Sequence, residues 1–264
     1  MSDVLVERDG HVVVIAINRP EKKNAFTLEV LEEIASTLHS LKRDPECRTV
    51  ILTGTGGAFC AGVDLSIVEG MRADGSATPG GWKSLLMDRV HKIALALDDF
   101  DKPVIAAVGG PAYGAGMDLA LMCDMRFVGA SARMCEAYIN LGVVPGDGGC
   151  YYLPRIVGLP KALELLLSGR VVGAAEALEI GLANRVCEDD ALMSETMAFA
   201  QILASKSPAA LRMIKRATYQ SLACDLRTSL DLISSHMGVV QSLDDTAEVA
   251  RALKSGDEPH FKEQ

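Results

Sequence analysis

VIAAVGGPAYGAGMDLALMCD, residues Val104–Asp124, runs from an apolar stretch through a glycine-rich loop into a helix. The apolar run VIAAV reads as a strand. The loop delivers Gly114-x-Gly116 to a helix start, where the first N–H groups lack intrahelical partners and the positive end of the helix dipole points at the same spot. The segment is therefore a strand–turn–helix unit that faces an anion. One acid, Asp118, stands two residues beyond Gly116. Two readings fit it. It is a carboxylate stabilising a helix N-terminus, worth about 0.3–1 kcal/mol, or an acid/base group beside an oxyanion site. The segment alone does not separate them.

A second loop bears on the choice. TGTGGAFCAGVDL, residues Thr53–Leu65, follows another short apolar run at Thr49–Leu52 and exposes backbone around Ala61-Gly62-Val63. Two glycine-rich strand exits, each offering an N–H, are what an enolate or tetrahedral oxyanion requires. Around this pair the pattern predicts strands at Val4–Arg8 and Val12–Asn18 joined at Asp9-Gly10, a helix from Thr27, and a strand at Met125–Val128. It also predicts a helix over Trp82–Leu97 and another starting near Gly148. Ser66–Gly81, polar and rich in Gly, Asp and Ser, reads as a mobile flap. Repeated strand–turn–helix units make the fold class α/β. From about Ser194 the period is purely helical, over Met197–Ala204, Ala209–Leu222, Leu226–His236 and Thr246–Lys254, with breaks at Pro208 and Gly238. Two regions are expected: a catalytic core over 1–193 and a helical region over 194–264.

Composition narrows the function. A chain of 264 residues, 49% hydrophobic and 23% charged, fits a soluble enzyme with ample core. A net charge of −9 with no basic stripe argues against nucleic acid as partner. MSDVLVERDG lacks the regions of a secretory signal, no apolar run reaches membrane-spanning length, and HFKEQ is not a peroxisomal tripeptide. Seven scattered cysteines, an odd number, read as reduced thiols, so a cytoplasmic location is expected. No C-x-x-C or paired-histidine spacing nominates a metal, and neither G-x-S-x-G nor a phosphate-binding P-loop occurs.

Five stretches in order and spacing resemble the enoyl-CoA hydratase/isomerase (crotonase) superfamily. They are NRPEKKNAF (Asn18–Phe26), GAFCAGVDL, KPVIAAVGGPAYGAGMDLALMCD (Lys102–Asp124), NLGVVPGDGG (Asn140–Gly149) and LPRIVGLPKALELLLSGR (Leu153–Arg170). The resemblance implies a spiral of ββα units, with the C-terminal helices building a homotrimer or a hexamer of two trimers. It implies an acyl-CoA thioester substrate and no cofactor, CoA being part of the substrate. Hydration of a 2-enoyl-CoA to a 3-hydroxyacyl-CoA is the family's commonest activity. Isomerisation of an enoyl- or dienoyl-CoA double bond through Asp118 is the alternative, and a non-catalytic CoA-binding homologue a third.

Residue by residue, the resemblance makes Val63 and Ala115 the backbone N–H donors of an oxyanion hole. Asp118 stands where hydratases carry the first of two catalytic glutamates and dienoyl-CoA isomerases an aspartate. Tyr138 stands where hydratases and many isomerases carry a glutamate. A phenol with a pKa near 10 does not readily activate water, so it is either a hydrogen-bonding group or pocket filler. Glu136, about 7 Å back along an extended segment, is a poor substitute for it. Asp147 is either a second active-site acid, one residue displaced from the isomerases' aspartate, or the N-cap of the next helix. Lys22, Lys23 and Ala25 match the loop that holds the nucleotide end of CoA, with Arg19 adding positive charge. Ala61, Gly62, Asp64, Leu65, Gly114 and Lys262 complete the expected CoA and substrate contacts, Phe261 preceding Lys262 in a C-terminal Phe-x-Lys/Arg match. Trp82, Met71 and Met87 are candidates for the acyl wall, or plain core. A Rossmann-type dehydrogenase is the rival from another class. It fails because Leu119 occupies the position where close helix–strand packing needs a small residue.

Overall fold

The computed structural model describes residues 2–261. The chain opens with β1 (Val4–Asp9) and β2 (Val12–Ile17), an antiparallel hairpin turned at Gly10, whose φ of +56° suits glycine. The Thr27 hydroxyl accepts the Val30 N–H and caps α1 (Leu28–Arg43), which buries Val30, Leu31, Ile34, Leu38 and Leu41 as one face. Strand β3 (Thr49–Gly54) leads to α2 (Leu65–Ala73), α3 (Pro79–Leu85), a π-helical turn at Leu86–Val90 and α4 (His91–Asp98). There follow β4 (Val104–Val108), β5 (Pro111–Tyr113), α5 (Ala115–Leu121), β6 (Met125–Gly129) and β7 (Arg133–Cys135). A 3-10 turn at Ala137–Leu141 then precedes α6 (Gly149–Val157) and α7 (Leu159–Ser168). Next come β8 (Val172–Gly173), α8 (Ala174–Glu179) and β9 (Arg185–Cys187). Four helices close the chain: α9 (Leu192–Ala204), α10 (Pro208–Ser221), α11 (Leu226–Gln241) and α12 (Asp244–Ser255).

Two sheets organise these elements. The larger runs β1-β2-β3-β4-β6-β9, parallel from β2 onward, and the smaller runs β5-β7-β8. The chain visits them alternately: β4 then β5, β6 then β7, each pass ending in a helix. The first pass has the same form, because Cys60 after β3 bridges in parallel to Ala112 of β5. This alternation is the spiral of ββα units. Periodicity finds the strands but carries no label for which sheet each joins.

Both faces of the large sheet are covered. One side packs Leu52, Ala106 and Val128 against α1, α4 and α5; the other packs Ile51, Ile105 and Phe127 against Leu192, Ala200 and Ala204 of α9. Residue 194 thus falls inside a helix that belongs to the core. Helices α10 and α11 are different, with Ile214, Leu222, Leu226, Leu230 and Met237 exposed. Helix α10 is tied to the body at Asp124, which accepts from Lys215 Nζ (2.7 Å), the Tyr219 hydroxyl (2.8 Å) and Val104 N–H (2.7 Å).

Two sequence expectations are corrected. Residues 66–81, which read from composition as a mobile flap, carry regular helix: the Asp64 carboxylate accepts Ser66 N–H to cap α2, and Thr78 accepts Gly81 N–H to cap α3 with Pro79 at its first turn. Gly238 does not break a helix. It lies within α11, where glycine costs about 1 kcal/mol against alanine without ending the hydrogen-bond ladder.

Candidate active site

The two glycine loops meet backbone to backbone. Cys60 N–H donates to Pro111 O, and Tyr113 N–H to Cys60 O, both at 3.0 Å, so the exit of β3 is stitched to the entry of α5. Gly116 admits no side chain, since a Cβ there would lie 2.1 Å from Cys60 O. Gly62, at φ +100°, is held as closely, its missing Cβ 2.8 Å from Tyr113 O and 3.7 Å from Ala115 N. The next amide on one side is Val63 and on the other Ala115, the first residue of α5. Neither N–H has an acceptor among the described residues. Two unsatisfied donors side by side, one backed by a helix dipole, are chemically suited to bind a single developing oxyanion.

The 19–26 loop is part of the same unit. Ala61 N–H donates to Lys23 O at 3.0 Å, and Phe26 N–H to Gly62 O at 2.9 Å. Buried Asn24, at φ +57°, donates to Thr55 O and Ala58 O and accepts from Arg19 N–H. Lys22 and Lys23 are left exposed. Arg19 is not: its guanidinium pairs with Asp64 at 3.0 Å and Asp3 at 3.3 Å. Asp64 is accordingly committed to Arg19 and to capping α2. Ala25 O accepts from Arg19, Gly114 lies against the Tyr138 ring, and Leu65 is exposed at the start of α2. Met71 is buried, Trp82 half-buried and Met87 exposed. Phe261 O accepts from Arg48, while Lys262 lies outside the described residues.

One helical turn inside α5 from Ala115 lies Asp118, fully buried. The Tyr138 hydroxyl is 2.7 Å from Asp118 Oδ2 and 2.6 Å from Asp147 Oδ2. The structure thus brings the three sequence candidates together. Asp147 does not cap α6; Gly148 holds the N-cap position, freeing the carboxylate to turn inward. Glu136 joins them, buried to 1% exposure. A Cβ on Gly149 would lie 2.5 Å from Asp118 Oδ1 and 2.9 Å from both Glu136 carboxyl oxygens, so this glycine holds open the space the two acids share.

Sequence spacing set Glu136 aside because it assumed an extended strand through Tyr138. The chain instead leaves β7 at Cys135 and winds into the 3-10 turn, so Glu136 approaches Asp118 at Oδ1 and Tyr138 at Oδ2. The legible signal was Gly149, a second glycine after the helix start with no turn to make.

Burial raises every acid of the cluster. It lifts Asp118 to about 7; the charge of Asp147 adds to this, while hydrogen bonds from Tyr138 and Glu136 and the nearby Gly149 amide oppose it. Glu136 is driven higher still, by burial first and then by Asp118. Burial raises Asp147, with Tyr138 and His91 opposing, and burial together with both aspartates pushes the Tyr138 phenol far up. A carboxyl titrating near neutrality beside an oxyanion position is equipped for general acid–base chemistry.

A family model described as enoyl-CoA hydratase/isomerase matches residues 7–264. The chain is similar to the short-chain-enoyl-CoA hydratase of Clostridium acetobutylicum, 35% identical over 254 residues that span 96% of this chain and 95% of that protein. It is 32% identical over 247 residues to crotonyl-CoA hydratase of Syntrophomonas wolfei, spanning 93% and 92%. Among solved structures, the crystal structure of an enoyl-CoA hydratase from Bacillus anthracis matches with a TM-score of 0.94 at 32% identity over 100% of both chains.

Proposed function

The chain belongs to the enoyl-CoA hydratase/isomerase family, and from that premise we propose that it hydrates a 2-enoyl-CoA thioester to the 3-hydroxyacyl-CoA. The observation that carries this reading is the pair of unpartnered amides at Val63 and Ala115, one turn from Asp118. The thioester oxygen accepts both N–H groups, which stabilises the enolate formed when an oxygen nucleophile adds at C3. Asp118 takes the proton of the attacking water. Lys22 and Lys23 attract the phosphates of CoA, and no separate cofactor takes part.

Double-bond isomerisation is the second reading, supported by Tyr138 in place of a carboxylate. It uses the same enolate and needs a proton carrier but no activated water. Mass spectrometry of crotonyl-CoA and 3-enoyl-CoA panels tests both. The expected product of crotonyl-CoA is heavier by one water. Shift of the double bond without water uptake selects isomerisation, and a panel returned unchanged overturns the enzymatic reading.

The exposed apolar residues of α10 and α11 support a further part of the proposal, a homotrimer that doubles to a hexamer. Light scattering is expected to give three or six times 28.1 kDa; a monomeric mass would refute it.

A further inference from the structure

We propose that Asp118, Tyr138 and Asp147 form one proton relay, with Asp147 as the reserve acid and neutral Glu136 holding the negative charge on Asp118. This rests on the assignment of Asp118 as the base above. The argument begins with a count of hydrogens. A phenol carries one O–H, yet Tyr138 Oη lies 2.7 Å from Asp118 Oδ2 and 2.6 Å from Asp147 Oδ2, both hydrogen-bond lengths. One hydrogen cannot fill both contacts. One of the two carboxyls therefore carries a proton and donates it to Oη, while the phenol donates to the other.

The remaining oxygens indicate which. Asp118 Oδ1 and both Glu136 oxygens crowd the Gly149 position, buried and without a hydrogen-bond partner apart from the Gly149 amide that nears Asp118. A proton on Glu136, shared with Asp118 Oδ1, satisfies that contact. Asp118 then accepts from two directions, as an anion should. Asp147 Oδ1 is buried without a donor, which the carbonyl of a neutral acid bears far better than a carboxylate would. Three acids thus carry one charge, placed on Asp118, and two protons, on Glu136 and Asp147. The thiols of Cys60 and Cys150, the Tyr152 phenol and the His91 imidazole lie within electrostatic reach of this cluster.

The arrangement runs hydration without a second free carboxylate. Water oxygen bonds to C3, its proton passes to Asp118, and the C2=C3 pair moves into the thioester enolate. As the enolate collapses, C2 takes the Tyr138 proton and Tyr138 takes the proton of Asp147. Asp118 is then neutral and Asp147 an anion. A return shift, Asp118 to Tyr138 and Tyr138 to Asp147, restores the start. The net change is one water added across the double bond.

Two measurements test the relay. Tyr138→Phe and Asp147→Asn are each expected to lower kcat by at least about 10²-fold. Because the two act as a unit, the double variant is expected to be no slower than the worse single one. Infrared spectra at neutral pH are expected to show carbonyl stretches of buried neutral carboxylic acids, one lost in Asp147→Asn and one in Glu136→Gln, irrespective of turnover. Full kcat in Tyr138→Phe, losses that multiply in the double variant, or spectra without neutral-acid bands would overturn the relay. An active Tyr138→Phe beside an inactive Asp118→Asn would do so while leaving the proposed reaction standing. A wild-type protein that turns over no thioester would instead sink that reaction, and the infrared bands would still report where the protons sit.

Discussion

Asp118→Asn is expected to lower kcat by about 10²–10⁴-fold with the fold intact, the range typical of a general acid–base group. Asparagine keeps the size of the side chain and an oxygen that accepts from Tyr138, so packing in α5 survives while the proton acceptor is gone. The pH profile adds a sign. The base works as its anion, and burial raises its pKa to about 7, so wild-type kcat/KM is expected to rise with pH through that region. The residual activity of the variant should lack this limb. Circular dichroism confirms folding, and steady-state rates between pH 5 and 9 read the profile. A variant with undiminished turnover would transfer the role of base to Asp147.

Ala115→Pro and Ala115→Gly should part company. Proline deletes the amide hydrogen, and loss of one oxyanion donor costs about 10²–10³ in kcat. Glycine keeps that hydrogen and should keep most of the activity. Position 115 suits the comparison because it is the first residue of α5, where proline is otherwise well tolerated. Thermal melts of the two proteins separate a folding defect from a catalytic one. Equal rates in two folded variants would remove Ala115 from the oxyanion hole.

What was legible in the chain was mostly local. Gly62 and Gly116 are demanded by carbonyls a few ångströms away, and such demands leave glycine in the sequence wherever loops touch. The strand–loop–helix units, and Asp118 beside one of them, could be found for that reason, whereas Tyr138 and Asp147 were nominated by the resemblance to the family. Arg19 adds positive charge to its loop in the sequence, but its pairing with Asp64 is not legible there, because that partner lies 45 positions along the chain. Glu136 was undervalued because the bend after β7 is set by tertiary packing, which spacing along a strand does not encode. The two caps at Asp64 and Thr78 were written in the chain, but the polar composition around them obscured the helices they start.

Gly149 gives the site an inverted map of tolerance. It carries no functional group, yet a single methyl there would occupy the volume in which two carboxyls meet. Replacing an acid by its amide alters one group and leaves the outline of the chamber alone; adding one carbon at 149 would force the Asp118 and Glu136 carboxyls to shift from their present positions. A survey of reactive side chains would pass over this position. The part this residue plays is defined by the atoms it lacks.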